Sequence, residues 1–248
     1  NVRVAHDGSN PYFQADNQNA ILFPPRRGWV WYCGWTAWPS ATKFRKRATE
    51  LIADMNDSTQ PYSAQTVLDF WFGAPESPEF GQPRKAWFAK DDAFDAEIRR
   101  QFGGLLQAAS HGMLDHFWKD VALPNLALTI VLDQFSRQLY RNNAKAFAQD
   151  GHALTVAKHA IAQGYDRDAL PVQRLFWYLP FEHSENLADQ DRSIELMEQL
   201  DNTEWTRYAR EHRDVIARFG RFPHRNDVLG RESTPAEIAF LKEPNSSF

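Results

Sequence analysis

The sequence is poor in the residues and patterns on which several common chemistries depend. It holds one cysteine, Cys33, in 248 residues, which excludes an intramolecular disulfide framework and any cysteine-based zinc cluster. A reducing compartment, the cytoplasm, is the expectation. The longest apolar run, around Trp29 to Trp38, is about ten residues where a membrane span needs about twenty. No membrane partner is therefore expected, and no secretory signal pattern opens the chain. Neither G-x-x-x-x-G-K-[ST] nor G-x-G-x-x-G occurs, so both standard glycine loops for phosphate are missing. There is no G-x-S-x-G elbow and no H-E-x-x-H. None of the eight histidines has a glutamate three residues before it, which removes the paired Glu-x-x-His ligands of a di-iron bundle. No metal and no cofactor is expected.

What the chain does hold is unevenly distributed. The net charge is −4. Residues 1–54 carry seven Lys+Arg against four Asp+Glu, and four of the nine tryptophans (Trp29, Trp31, Trp35, Trp38). Turn-forming pieces such as Asp7-Gly8 and Pro24-Pro25 break this part repeatedly. We read 1–54 as an irregular extension outside the domain, with a partner-docking arm as the other reading. Regular helical patterning starts after Met55, so 55–248 is read as one all-helical domain.

Within that domain, Ser63 is placed to cap a short helix through Val67, Leu68 and Trp71 that ends at Gly73. Asp91 or Asp92 opens a longer one with Phe94, Ile98, Phe102 and Leu105 on one stripe. With Pro124 in its first turn, Leu126–Tyr140 is apolar enough to be central. A further helix is expected from about Ala144 to Gln163, stopped by Gly164. The short helix from Pro171 to Tyr178 is expected to end before Pro180. Leu187–Leu200 and Thr203–Phe219 follow with almost no linker, which forces them side by side and antiparallel. Thr234, Pro235 and Glu237 form a capping box for the last helix. No alternating β-branched run intervenes. The fold class is all-α, with successive pairs suggesting stacked antiparallel hairpins rather than a bundle.

Three segments carry more polar chemistry than such a stack requires. In the first, Asp133, Gln134, Arg137 and Arg141 decorate the most apolar helix, and Asp133, Arg137 and Arg141 share a face at i, i+4, i+8. In the second, Glu182, His183 and Glu185 follow Pro180. They suit an acid–base group, helix-end capping, or part of a metal site completed by His212 or His224. The third is a loop bearing Arg218, Arg221, His224, Arg225, Asn226 and Arg231. Seven arginines against three acids lie between Arg207 and Arg231, which suits a carboxylate or phosphate. Asn226 is placed to cap a short helix there, with free N–H groups for the same anion. Ion pairing to acidic helices is the competing use of these arginines. Nucleic acid is disfavoured because the domain as a whole is acidic. The three segments are expected to meet in space.

At these segments the chain resembles the bacterial domain-of-unknown-function 924 family. The resemblance rests on Leu132-Asp133-Gln134-Phe135-Ser136-Arg137-Gln138-Leu139-Tyr140-Arg141, on Phe147 with Asp150, and on Phe176-Trp177-Tyr178-Leu179-Pro180-Phe181-Glu182-His183-Ser184-Glu185. His212, the run from Arg218 to Asn226, Leu229-Gly230-Arg231 and Thr234 complete it, with Val67-Leu68-Asp69-Phe70-Trp71-Phe72-Gly73 near the front. It covers about residues 62–242 and implies an all-helical, tetratricopeptide-like fold, with no activity attached. Folds of that kind commonly bind peptides or proteins in a groove. Two functions follow as expectations: a binding module for a peptide, protein or anionic ligand, which is favoured, and an enzyme using Glu182, His183 or His224 on an anionic substrate. Convergence into a closed pocket with a perturbed acid or base would speak for the enzyme.

Overall fold

The structure, a computed structural model, describes residues 62–244 and 246. All belong to the unit that runs from Asn56 to Phe248, and the readings made of residues 1–54 lie outside them. Among the described residues there are helices and no strands, in accord with the all-α reading. The order is α1 (Ala64–Phe72), a 3-10 turn (Lys85–Trp87), α2 (Asp92–Ser110), α3 (Asp115–Trp118) and α4 (Ala122–Ile130). A π-helical turn (Val131–Phe135) joins α4 to α5 (Ser136–Leu139), and a second 3-10 turn (Ala144–Ala146) leads to α6 (Asp150–Gln163). Then come α7 (Pro171–Glu182), α8 (Leu187–Glu198), α9 (Thr203–Phe219), a 3-10 turn (Pro223–Arg225) and α10 (Pro235–Phe240). Among these residues no helix is long and apolar enough to cross a membrane.

The helical run from α4 through α5 is the axis of the unit. Every residue from Asn125 to Ser136 is buried, as befits a helix apolar all round. α1, α6 and α7 pack against α4, and α2 packs on the π turn and α5. Consecutive helices α6, α7, α8 and α9 then pack each on the next, an arrangement compatible with stacked hairpins. Aromatic rings fill the junction of α1, α4 and α7: Trp71 meets Phe135 at 5.6 Å and Phe176 at 5.4 Å, and Trp87 meets Phe176 at 4.9 Å, all edge to face. Such geometry adds to area burial. Two of the indole groups inside this core are satisfied by donation, Trp87 Nε1 to the Trp71 carbonyl and Trp177 Nε1 to Asn125 Oδ1, each at 2.9 Å, whereas the buried Trp71 Nε1 has no hydrogen-bond partner.

Helix ends follow the sequence closely, with four corrections, the first at Ser63, which precedes α1 but makes no side-chain capping bond. Asp91, Asn186 and Asn202 cap α2, α8 and α9 through their side chains, and Thr234 and Glu237 close the capping box of α10. Gly164 and Gly220 end α6 and α9 with φ of 72° and 70°, a conformation that penalises a Cβ. Pro180, however, lies inside α7 rather than stopping it. It deletes only one backbone donor near the end of the helix, and its neighbours Leu179 and Phe181 are buried, so packing outweighs the missing bond. α6 starts at Asp150, because the stretch from Ala144 to Ala146 forms a separate 3-10 turn capped by Asn143. The turn Pro223–Arg225 ends at Asn226 rather than being capped by it.

Candidate functional site

The site starts at the one place where the central helix departs from α geometry. A π turn widens the helix and leaves carbonyls differently aimed, which is why such turns concentrate at functional sites. Here it holds Asp133, whose side chain is 1 % exposed. Asp133 Oδ1 accepts the Nδ1–H of His183, the residue just past α7, at 2.8 Å. Its Oδ2 accepts from Gln134 Nε2 at 2.7 Å. Arg137 Nη1 lies 3.2 Å from Oδ1 and donates to the Asp133 carbonyl at 2.8 Å. Burial opposes charge on Asp133, but the Arg137 guanidinium and His183 outweigh it and hold the carboxyl well below its usual range. Burial, reinforced by Arg137, pushes His183 down despite Asp133. A neutral imidazole whose Nδ1–H is given to a carboxylate carries its lone pair on Nε2.

A second carboxylate ties two arginines together. Asp150, in the first turn of α6, accepts from both terminal nitrogens of Arg137, at 2.9 and 3.1 Å, and from Arg225 Nη1 at 3.0 Å. Arg225 is 6 % exposed and its guanidinium lies between two rings, 4.5 Å from Phe147 and 4.4 Å from Phe222. Burial brings its pKa down to about 10; Asp150 resists this and Arg137 assists it.

Beside the Asp133–His183 pair stands an acid of opposite character. Glu182 is 4 % exposed, and burial, with the neighbouring charge of Asp133, pushes its carboxyl up to about 8. At pH 7 it holds its proton. His212 lies 3.3 Å from Glu182 Oε1 through Nδ1, and the same nitrogen is 2.8 Å from the Tyr208 carbonyl. Since a carbonyl only accepts, Nδ1 carries the hydrogen. Burial brings His212 down to about 3 and His224 down to about 4, with Arg225 contributing to the latter. Two titrating groups on adjacent residues are thus set apart: a neutral base at His183 and a protonated acid at Glu182.

These groups border one cavity of about 1320 Å³. Of the residues singled out in the sequence, Gln134, Arg137, Arg141, Glu182, His183, His212, His224 and Arg225 line it, with Asp133 hydrogen-bonded to His183 behind. Arg141 belongs to the exposed edge, where it pairs with Asp95 at 2.7 Å. Glu185, Arg218, Arg221, Asn226 and Arg231 do not line it. Glu185 accepts two bonds from Arg231, at 2.8 and 3.0 Å, and one from the Phe222 amide at 2.8 Å. Arg221 is bidentate to Glu237, at 2.6 and 2.8 Å. Asn226 donates to Ser233 Oγ at 3.0 Å, and Arg218 is exposed beside Phe219 and Phe240. These residues fix the loop; Arg225 and His224 are what the loop delivers. The three segments meet, through Asp133–His183, Arg137–Asp150–Arg225 and Glu185–Arg231.

Sequence reasoning missed Asp150 as a site residue, and with it the aromatic walls Phe147, Trp205 and Tyr208. Asp150, with Phe147, stands among the residues that carry the family resemblance, but nothing local gives it a role, since its partners are 13 and 75 positions away. Among the described residues no group of three or more His, Cys, Asp or Glu is arranged to hold a metal ion.

Comparison with known proteins agrees with the helical reading. The sequence profile described as "Bacterial protein of unknown function (DUF924)" matches residues 67–245. The chain is similar to a solved structure of a protein of unknown function from Agrobacterium tumefaciens, at 40 % identity and a TM-score of 0.65, covering 72 % of this chain and 96 % of that one. No curated protein matches the sequence.

Proposed function

The chain belongs to the DUF924 family of bacterial proteins, a description that names no activity, and from that premise we propose that it is an enzyme performing acid–base chemistry on an anionic small molecule. One observation carries this reading: a neutral His183 oriented by Asp133 and a protonated Glu182 line the same cavity as Arg137 and Arg225. A general base requires an available lone pair and a general acid requires a proton at working pH, and adjacent groups with opposite perturbations meet both needs. In this reading His183 Nε2 accepts a proton from the substrate or a water. Glu182 donates one to the departing or developing anion, and the guanidiniums hold the substrate's carboxylate or phosphate by charge-assisted hydrogen bonds. A module that only binds peptide or protein has use for the arginines but none for an acid set beside a base. A cytoplasmic location goes with this reading, on the strength of one cysteine in the chain.

The test is conversion. The full chain is incubated with a small-molecule cell extract and the mixture followed by mass spectrometry. An anionic component should disappear and a product appear with wild type, and neither should change with His183→Gln or Glu182→Gln variants whose melting curves confirm folding. Components that are retained on the protein but never converted, equally by wild type and variants, would establish a binding module instead.

A further inference from the structure

We infer that the ligand of this cavity joins its anionic group to a flat aromatic ring. The inference deepens the acid–base reading and rests on it for the location of the anion. Size is the first argument. Pockets for small ligands run to about 300–1,000 Å³, and this one is about 1320 Å³, far more than a carboxylate or phosphate alone can fill.

The anion's place is at Arg225. Its side chain is nine-tenths buried, and Nη1 is spent on Asp150. Its Nε, also buried, has no hydrogen-bond partner. Asp150 must serve Arg137 as well, so one carboxylate is shared between two guanidiniums, of which Arg137 also has Asp133. A buried guanidinium with an unused donor is incomplete without an added acceptor.

The rest of the cavity is walled by aromatics left partly in water. Phe88, next to the Lys85–Trp87 turn, is 61 % exposed, and Tyr208 on α9 is 41 % exposed. Trp205, one turn before Tyr208, is half-buried. Phe88 lies parallel to the buried Phe176, 7° between planes and 6.4 Å between centres, an offset extension of the core's rings that keeps most of its own surface open. Rings prefer offset stacks at about 4.5–7 Å, and a third ring in the same orientation extends this one. Lys85, Lys90 and Arg207 stand among these aromatics together with Glu204 and Glu211. Lys90 pairs with Asp92, and Arg207 pairs with Glu211 and lies over one face of Tyr208, 4.3 Å from the ring centre. The approach therefore carries both signs, and the pull on an anion comes from Arg137 and Arg225 deeper in the cavity. A bare anion leaves such walls wet, and an aliphatic or sugar ring meets them through C–H groups alone, without the ring-on-ring stacking that a second flat ring offers.

Calorimetric titration of the full chain with two matched pairs decides the matter: phenyl phosphate against cyclohexyl phosphate, and benzoate against cyclohexanecarboxylate. Each pair has equal charge and similar size and differs in the ring. The flat member of at least one pair should bind about tenfold more tightly, equivalent to about 1.4 kcal/mol, and the pair that shows it identifies phosphate or carboxylate as the anion. Phe88→Ala or Tyr208→Ala should reduce that preference to about threefold or less, and Arg225→Gln should weaken every member of the pair. Equal binding within both pairs overturns the ring while leaving an anion pocket in place. No binding of any probe at about 10 mM, or a preference indifferent to Phe88 and Tyr208, overturns the inference as well. Failure of the acid–base reading is scored separately, by conversion, since a ring preference can hold without turnover.

Discussion

Replacing Asp150 by asparagine should be among the most damaging single changes in the helical unit, although the substitution alters one atom. Asp150 accepts three charge-assisted bonds at 2.9–3.1 Å from Arg137 and Arg225. An asparagine keeps one acceptor and turns an amide donor toward guanidiniums that cannot accept. Removing one partner of a buried ion pair costs about 3–5 kcal/mol. Arg137 retains Asp133 at 3.2 Å, and the Asp150 side chain is 16 % exposed, so the lower end, about 3 kcal/mol, is expected. For a domain of this size that is about 6–12 °C in Tm. Arg225→Gln by itself should cost only about 1 kcal/mol, because its burial already disfavours the charge that is removed. The double variant Asp150→Asn/Arg225→Gln should therefore be more stable than Asp150→Asn alone, by about 1 kcal/mol or more, as contacting residues couple. Urea denaturation of the full chain at pH 7, with slopes compared between variants, measures all three differences. A loss below about 1 kcal/mol for Asp150→Asn, or a double variant no better than the single one, refutes the shared-carboxylate account.

Three further outcomes follow from other parts of the molecule. Glu182 has a folded pKa of about 8, above an unfolded value of about 4.3, so the folded state binds the extra proton between them. The Glu182 contribution to stability should fall as pH rises from about 5 to about 8. It is opposite in sign to that of His183, His212 and His224, which burial pushes down, below about pH 6.5. The stability of wild type relative to Glu182→Gln should therefore decrease steadily in denaturation curves taken across the range. Arg221→Gln should lower stability without weakening any anion, since Arg221 serves Glu237 and not the cavity. Arg221 hydrogen bonds hold Glu237 well below the usual carboxylate range. The difference from wild type should therefore be present above about pH 4.3 and shrink as pH falls toward the folded pKa, and a pH-independent difference would contradict it. Deleting residues 1–54 should leave the melting temperature nearly unchanged, and a fall of more than about 10 °C would place the Trp29–Trp38 cluster in the folded core.

How legible each part was depended on how local its cause is. The start of α10 could be read off because its cause is local, with Thr234 and Glu237 three residues apart, and the ends of α9 have equally local causes in Asn202 and Gly220. Pro180 was misread for the complementary reason. A proline's local cost is legible, but the burial of Leu179 and Phe181 that overrides it belongs to the tertiary structure. The apolar period through Leu126, Ile130 and Phe135 announced a central helix, yet nothing in Val131-Leu132-Asp133-Gln134-Phe135 announces a π turn. Among the arginines, charge density alone could not distinguish Arg225, which faces the cavity, from Arg221 and Arg231, which are held by Glu237 and Glu185. That sorting is done by partners 16 and 46 positions away.

The π turn makes a backbone atom part of the site. Arg137 is anchored through the carbonyl oxygen of Asp133 as well as by carboxylates, and no exchange of side chain at position 133 removes that oxygen. Point substitutions there disturb the tautomer and orientation of His183 while leaving Arg137 aimed. Chain length is what the anchor is sensitive to. A π turn accommodates one residue more than the α turn it replaces, so deleting one residue between Val131 and Phe135 would let the helix relax to regular winding, with the segments before and after it in their present register. Leu139 would then keep its buried place, while the carbonyl that anchors Arg137 would return to ordinary helical hydrogen bonding. Hence sequence drift can retune the chemistry of this helix one side chain at a time, and a single deletion can remove its anchor without dismantling the core around it.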